Sequence, residues 1–335
     1  MFTALGTSGI QLQQSDILKA RLLEKVNKNS RIKYSKIWDA CEDMSNYFEK
    51  NVADVFNIER ANVKPENFRF YDTTYFSVND STNSSESNYQ SKTISEIIQN
   101  DEVDIKIDNT NSDNSSKCRS IITFNILLMH TYRIYNLQNQ RKNFEHAINP
   151  KTLLLTIKLD DFTSSEETEN FFELLWKVRY VFDKHVVKWR IEEDDDNDEK
   201  LLLTEINTSR SYEKNYFSRT NSSYSSSQML QSVLYFTSGF TQQYWLTPFL
   251  YFLLENENLT NESIIIELEK IDNLMLPGDK KEISLELVSL VKRNEKIDLN
   301  NLNILNESHG TSFHHYWFYK LEYLLWKTWD KNDHK

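Results

Sequence analysis

Apolar residues in the N-terminal part of the chain recur every three or four positions, as they do on the buried face of an amphipathic α-helix. The recurring positions are Leu18, Leu22 and Val26 in a first run, and Ile37, Cys41, Met44 and Phe48 in a second. Ser15 precedes the first run and has a side chain suited to an N-cap. The pattern therefore predicts one helix that starts at Ser15 and a second that runs through Phe48.

Longer apolar stretches follow. Residues 121–135 are strongly apolar, and the length of this stretch favours a buried helix over a strand. Residues 151–159 are predicted to be a short strand or extended segment. Further helices are predicted over residues 171–186, 229–237, 244–254, 264–276 and 283–292. A last helical stripe, expected to be mostly buried because it is so aromatic, consists of Phe313, Trp317, Leu321 and Leu324.

Three polar segments interrupt the helical pattern. Residues 77–117 are dominated by Ser, Asn, Asp and Glu, and residues 207–227 by Ser, Asn and Tyr. Within 191–200, the run from Glu192 to Glu199 is almost entirely acidic. Such composition is typical of solvated loops. The sequence thus predicts a predominantly α-helical fold, an irregular multi-helix bundle with long polar insertions. Its parts are an N-terminal helical part over 1–76, a flexible insertion over 77–117, and a main helical domain over 118–335 with polar loops at 191–200 and 207–227.

Composition narrows the class of protein further. Five glycines and four prolines are too few for a turn-rich β-sandwich or a dinucleotide-binding sheet, which again favours helices. Two cysteines cannot form a metal cluster on their own. The sequence shows neither a secretory signal nor an uncharged run long enough to span a bilayer. We therefore expect a cytoplasmic chain with reduced cysteines and no membrane partner.

Positive charge is concentrated near the N-terminus although the net charge is -11. Between residues 19 and 36, seven cations stand against Glu24 alone, a local excess able to face DNA phosphates. An alternative is that these cations pair with acidic residues of a missing N-terminal domain. The candidate DNA-binding residues are Lys19, Arg21, Lys25, Lys28, Arg31 and Lys33, and Lys36 completes the cluster. A second basic cluster is formed by Lys177, Arg179, Lys184, Lys188 and Arg190.

Five segments resemble, in order, the helical part of GmrSD-type modification-dependent (type IV) restriction endonucleases, the domain of unknown function 262 family. They are GTSGIQLQQSDILKAR from Gly6, YSKIWDACEDMSNYFEK from Tyr34, VRYVFDKHVVKW from Val178, MLQSVLYFTSGFTQQYWLTPFLYFLL from Met229 and HGTSFHHYWFYKLEYLLWK from His309. The resemblance covers most of the chain apart from the polar segments. Because the first segment resembles the middle of a domain, we expect this chain to be a fragment or a split-gene product.

The resemblance implies functional domains that this sequence lacks. In the family, the helical part joins a nucleotide-handling domain with an Asp-Gly-Gln-Gln-Arg motif to a C-terminal HNH nuclease. Nucleoside triphosphate and divalent metal would therefore act in those domains, and no cofactor is expected in this chain. Gly9, Asp16 and Lys19 match the family motif, with no role assigned to them. Gly6 and Ser8 stand where the family usually has Asn and Arg, and this departure weakens any ligand role for the loop.

No catalytic or metal-binding residue is predicted. Neither Gln13-Gln14 nor Gln242-Gln243 follows a glycine, as the nucleotide motif requires. His314 and His315 are adjacent, and neighbours on a helix point about 100° apart, so polar packing is favoured over shared metal binding.

The expected function is that of the helical portion of a restriction protein acting on modified phage DNA, not catalytic alone. Two alternatives remain open. One is an adaptor or weak DNA-binding module that partners separate nucleotide-binding and HNH subunits. The other is a remnant of a disrupted gene.

Overall fold

A computed structural model describes residues 13–58, 63–77, 118–141, 147–191, 199–211, 214–221, 225–237, 242–275, 305–306, 308 and 310–329. The α-helices in this part of the chain are α1 (Gln14–Lys25), α2 (Arg31–Glu42), α3 (Phe48–Phe56), α4 (Phe124–Gln138), α5 (Leu153–Thr156), α6 (Ser165–His185), α7 (Ser226–Thr237), α8 (Leu246–Glu255), α9 (Asn261–Leu274) and α10 (Tyr316–Trp329). The strands are β1 (Arg119–Ser120), β2 (Lys188–Ile191), β3 (Glu199–Leu202), β4 (Thr204–Ser211) and β5 (Lys214–Asn221). Short 3₁₀ turns lie at Lys28–Ser30, Pro65–Arg69, Pro150–Thr152, Leu159–Asp161 and Gly310–Ser312.

Helices account for 66% of the described residues and strands for 9%, which confirms the predicted predominantly α-helical fold. The strands form two small antiparallel sheets, ordered β1-β2-β3 and β4-β5. In the first sheet Trp189 lies between Arg119 and Leu201, and in the second Thr204 pairs with Asn221 and Ile206 with Arg219.

Helix α6 lies at the centre of the molecule and packs against α2, α3, α4 and α8. Ser164 caps its first turn by accepting a hydrogen bond from the Glu167 N–H at 3.1 Å. Acidic residues in the first turn and basic residues in the last turn complement the helix dipole. Trp176 on α6 is fully buried, and its indole N–H donates to the Phe68 carbonyl at 2.8 Å. Aromatic side chains bury large areas, so this helix supplies much of the core.

The N-terminal helices and the rest of the chain share one hydrophobic core. Leu18 of α1 and Trp38 of α2 belong to the same buried cluster as Phe172 of α6 and Leu250 of α8. The Trp38 and Phe172 ring centroids are 6.0 Å apart. The described residues on either side of the predicted 77–117 insertion therefore fold against one another.

The second predicted helix is in fact two helices. Helix α2 ends at Glu42 and α3 begins at Phe48. The Asn51 side-chain amide donates to the carbonyls of Ala40 at 3.1 Å and Asp43 at 2.8 Å. These bonds satisfy carbonyls that a helix end would otherwise leave without partners, and so favour a break.

The N-cap of the first helix lies two residues earlier in the chain than predicted. Its N-cap residue is Gln13, and Ser15 lies buried within the first turn. The Gln13 N–H donates to the Asp16 carboxylate at 3.0 Å, as in a capping box.

Two predictions for polar or extended segments are wrong. Residues 150–156 form a 3₁₀ turn and helix α5 rather than a strand, and the Asn149 side chain accepts from the Lys151 N–H at 3.0 Å. The predicted loop over 207–227 is mostly the β4-β5 hairpin, and strands β2 and β3 occupy both ends of the predicted 191–200 loop. Polar composition correctly indicated exposure at Asn207 and Thr208, but an exposed two-stranded ribbon satisfies that composition as well as a loop does.

Some predictions lie outside the described residues. These are the loop with Gly6 and Gly9, residues 78–117 of the insertion, the acidic residues 192–198 and the helix over 283–292.

Candidate functional site

Two of the predicted DNA-binding lysines contact acidic side chains of this chain. The Lys19 ammonium pairs with the Asp39 carboxylate. The Lys33 ammonium lies 3.3 Å from Glu173 Oε1 and 4.4 Å from the centroid of the Tyr34 ring. Because both lysines join one helix to another, they stabilise packing as well as carry charge.

Two further cations of the predicted site bind backbone carbonyls. The Lys25 ammonium donates to the carbonyl of Phe162 at 2.9 Å. The Arg31 guanidinium donates to the carbonyls of Val26 at 3.2 Å and Glu24 at 2.9 Å. Arg31 thus satisfies acceptors at the end of α1. Lys25 holds α1 to the segment that precedes α6.

Arg21 and Lys28 differ from the other four candidates. Both are exposed, and neither forms an ion pair with a residue that the structure describes. They are the candidates whose charge is most available to an external phosphate.

The residues matched by the family motif have local structural contacts. Asp16 accepts the Gln13 N–H at the start of α1, and Lys19 pairs with Asp39 of α2. Gly9 lies outside the described residues.

Sequence reasoning missed a cluster of buried charges at the C-terminal end of α6, which we call the α6 charge cluster. Its members are Glu49, Arg179, Asp183, Lys188 and Arg219. All five side chains are at most 9% exposed. Burying charge is costly unless each group is paired and hydrogen-bonded, so the contacts of this cluster decide whether it is stable.

Asp183 is the centre of the cluster. Its Oδ1 lies 2.6 Å from the Arg179 Nη1 and 2.8 Å from the Lys188 Nζ, and its Oδ2 accepts the Phe48 N–H at 2.6 Å. Arg179 also donates to the carbonyls of Asp43 and Asn46, both at 2.9 Å. The carboxylate therefore joins α6 to β2 and to the first residue of α3.

Arg219 forms the second half of the cluster. Its guanidinium makes a bidentate pair with Glu49, with both donor-acceptor distances 2.8 Å, and donates to the Asp183 carbonyl at 2.9 Å. It also lies 4.1 Å from the centroid of the Tyr47 ring. Bidentate pairing and stacking are the geometry for which arginine is suited. Arg219 thereby anchors the β4-β5 hairpin to α3 and α6.

The charge states of the cluster follow from its packing. Burial by itself would raise the pKa of Asp183, but Arg179, Lys188 and Arg219 outweigh it and hold the pKa below its usual value. Burial lowers the pKa of Lys188, although Asp183 opposes that shift. Asp183 thus stays ionised with both carboxylate oxygens bound to donors inside the fold, an arrangement that holds α3, α6 and β2 together.

Part of this cluster could have been found in the sequence. Arg179 and Asp183 are four residues apart, and both interrupt the apolar face of the helix that Phe182 helps to define. Of the second basic cluster noted in the sequence, Arg179 and Lys188 are buried against Asp183 and are not available at the surface. Glu49 and Arg219 are 170 positions apart, and no local pattern connects them.

A groove of about 1240 Å³ borders the cluster at Thr204 and Arg219. Its walls carry cations such as Lys64 and Arg69 and carboxylates such as Glu66, Glu205 and Glu269. Because both signs of charge are interspersed, the groove does not favour an anionic ligand such as DNA over a cationic one.

Two histidines are held in uncharged form, His130 fully buried and His185 half-buried. His130 is fully buried between Thr247, 2.7 Å from its Nδ1, and the Gln242 carbonyl, 3.1 Å from its Nε2. Burial, assisted by Arg133, lowers the pKa of His130 to about 3. Burial and Lys184 lower the pKa of His185 to about 3 as well. Since the carbonyl can only accept, Nε2 carries the proton and Nδ1 accepts from Thr247.

The adjacent histidines before α10 lie on the surface. The His314 Nδ1 accepts the Tyr316 N–H at 3.2 Å, and the His315 ring contacts Phe318 with centroids 6.5 Å apart. Within the described ranges, no group of three or more His, Cys, Asp and Glu side chains is arranged to hold a metal ion.

The predicted burial of the C-terminal stripe is wrong for Leu321 and Leu324, whereas Trp317 is partly buried against the core. Leu321 is 53% exposed and Leu324 is 46% exposed. Helix α10 instead turns Tyr316 and Tyr323 toward the core, where their hydroxyls donate to Asp272 at 3.0 Å and to Glu269 at 2.8 Å. Polar contacts to α9 therefore act together with the core packing of Trp317, Tyr319 and Trp326 in setting the orientation of α10.

Comparison with known proteins gives no match to a protein-family model, to a curated protein or to a solved structure. None of the helices that the structure describes combines the length and apolarity needed to cross a bilayer.

Proposed function

We propose that this chain is the helical, non-catalytic portion of a GmrSD-type restriction protein that acts on modified phage DNA. The observation that supports this proposal is how the resembling segments pack in the fold. Four of the sequence segments that resemble this family, far apart in the chain, supply helices that contact one another in the fold. A helical portion of such a protein needs these segments to pack into one unit.

The contacts between these segments are direct. Asp183 of α6 accepts the Phe48 N–H from the segment that starts at Tyr34. Gln231 of α7 accepts the Val187 N–H at 3.0 Å and donates to the His185 carbonyl at 2.9 Å.

The last of the four segments joins through α7. The ring centroids of Phe236 on α7 and Tyr319 on α10 are 6.0 Å apart. The resembling segments thus form one continuous packing unit. A unit of this kind supports a role in holding together the nucleotide-handling and nuclease parts that the resemblance places on either side of it.

The test is phage restriction in cells. Cells that express this chain together with separately encoded nucleotide-binding and HNH partners should plate phage with modified DNA less efficiently than cells that lack the chain. Phage with unmodified DNA should plate equally on both. Asp160→Ala, an exposed change, should leave restriction intact, whereas Asp183→Ala should abolish it. Equal plating of modified phage with and without the folded chain contradicts the proposal.

Purified alone, the chain should neither hydrolyse nucleoside triphosphates nor cut plain or modified DNA in the presence of divalent metal. The reason is the lack of the family's nucleotide and HNH motifs in the sequence. The measurement is phosphate release and plasmid cleavage by the purified chain. Metal-dependent cleavage that His314→Ala or His315→Ala removes would refute this expectation.

Weak DNA binding is a second candidate function, favoured by the exposure of Arg21 and Lys28. Replacing both residues with glutamate should reduce the slope of log Kd against log salt concentration by about two, since each phosphate contact contributes about 0.9 to that slope. Lys25 and Arg31 are unsuitable for this test because they bind backbone carbonyls. The measurement is a titration of labelled duplex at several salt concentrations.

The control is Lys64→Glu combined with Lys151→Glu, which changes the net charge equally at two exposed sites elsewhere. Equal slopes for the two double variants would exclude Arg21 and Lys28 from the DNA-contacting surface.

A further inference from the structure

Helix α10 presents a row of large apolar side chains to solvent, which we call the α10 outer face. Its members are Phe318 (57% exposed), Leu321 (53%), Leu324 (46%), Leu325 (56%) and Trp329 (70%). Phe318, Leu321 and Leu325 follow one another at steps of three and four, so they lie on one side of the helix, opposite Tyr316 and Tyr323. An exposed row of this size marks an interaction surface more often than isolated exposed leucines do.

The outward orientation of this face is fixed by buried polar contacts. The Tyr316 hydroxyl and the Lys320 ammonium both bind Asp272, whose side chain is fully buried. Rotating the apolar residues inward would strip that carboxylate of its partners, at a cost expected for an unpaired buried charge.

Two further polar contacts add to this restraint. The Tyr323 hydroxyl and the Lys327 ammonium both bind Glu269 of α9. The α10 outer face therefore cannot be buried by the helices that α10 already contacts.

The chemistry of the face fits another copy of itself better than a charged partner or a lipid surface. Helices that lie on membranes carry free lysines and arginines beside their apolar face. Both lysines of α10 are instead held by α9 carboxylates. Glu322 is the one charged residue of α10 that is exposed, and it stands at the edge of the row. Two α10 outer faces can therefore meet without bringing rows of like charge against each other.

The area is also sufficient. Since a large aromatic side chain presents about 150–250 Å², the five partly exposed side chains together present roughly 500 Å². Two copies would then remove about 1,000 Å² from water, the size at which specific interfaces begin. Phe236, 41% exposed and in contact with Tyr319, extends the apolar area beyond α10.

We propose that the α10 outer face packs antiparallel against the same face of a second copy of this chain, with the two-fold axis near Leu321 and Leu325. A two-fold interface uses one surface patch on both subunits, which a self-complementary apolar row satisfies. The spacing of Phe318, Leu321 and Leu325 is that of core positions in paired helices. This inference does not depend on the proposed restriction function.

Sedimentation of the purified chain tests the proposal. The wild-type chain should be dimeric at micromolar concentrations, and Leu321→Glu with Leu325→Glu should make it monomeric. The double variant should keep its helical circular dichroism and melting behaviour, because both side chains point to solvent. Leu155→Glu on α5 is the matched control: this leucine is 66% exposed but lies on another element, and the variant should stay dimeric.

Two outcomes overturn the proposal. One is a wild-type chain that remains monomeric up to concentrations on the order of 100 µM, because the interface would then contribute less than about 5.5 kcal/mol. The other is a double variant that remains dimeric.

A charge swap distinguishes self-pairing from binding to a different partner. Leu325→Glu and Leu325→Lys should each be monomeric, since like charges meet near the axis. An equimolar mixture of the two should recover dimers that contain one of each. A mixture that stays monomeric while the wild-type chain dimerises would rule out an axis at this position.

Discussion

Replacing Asp183 by alanine is expected to lower the free energy of unfolding by about 3–5 kcal/mol, the usual cost of breaking a buried ion pair from one side. The change leaves the Lys188 ammonium without its carboxylate and removes the acceptor of the Phe48 N–H. Arg179 would keep its two carbonyl partners but lose its ion pair. The measurement is urea denaturation followed by circular dichroism.

Asp160→Ala is the matched control, because Asp160 is exposed in the turn that precedes α6. It should change the free energy of unfolding by less than about 0.5 kcal/mol, as surface substitutions usually do. Equal stabilities for the two variants would show that the α6 charge cluster does not hold the fold together.

Acidification below neutral pH is expected to destabilise the folded chain steeply. His130 and His185 have pKa values of about 3 in the folded state, whereas a histidine in the unfolded chain titrates near 6.5. Between these values the unfolded state binds protons that the folded state does not, so stability is full above pH 6.5 and falls as the pH drops toward 3. Each histidine contributes a slope of up to about 1.4 kcal/mol per pH unit.

The slope can be assigned to one residue by substitution. His130→Asn removes one titrating group, so the free energy of unfolding should fall less steeply with decreasing pH, by up to about 1.4 kcal/mol per unit. His314→Asn is the control, because the side chain of His314 is exposed. The measurement is the urea midpoint at several pH values between 7 and 4. An unchanged slope in His130→Asn would mean that His130 does not carry the acid sensitivity.

Asp183 adds to acid sensitivity at lower pH. Its pKa in the folded state lies below the usual value of an aspartate, so its contribution is present above about pH 3.9 and is lost as the pH falls through its folded value. The histidines therefore act first on acidification and Asp183 afterwards.

Helical periodicity was enough to locate most helices. The pattern over 171–186 corresponds to α6, and those over 121–135 and 264–276 correspond to α4 and α9 within a few residues. The reason is that the step of three or four residues is a local property: an apolar face must be buried, whatever covers it. Where local composition indicated only exposure, as over 207–227, it could not distinguish a loop from a hairpin.

The candidate DNA-binding residues show a similar limit. Sequence alone located a basic segment. Whether each of its cations is available to bind DNA depends on distant partners, such as Glu173 for Lys33 and the Phe162 carbonyl for Lys25. These partners lie about 140 positions away, so only the folded chain shows that Arg21 and Lys28 remain unpaired among the described residues.

The sequence by itself determined the helical class, the positions of the main helices and the exposure of polar residues such as Asn207 and Thr208, because each depends on neighbours within one or two turns. The tertiary structure alone decided which charges are buried and which face of α10 is exposed. Asp183 meets Phe48 across 135 positions, and Tyr316 meets Asp272 across 44. A buried charge must find partners wherever the fold brings them, and that requirement favours the orientation in which the α10 outer face is exposed to solvent.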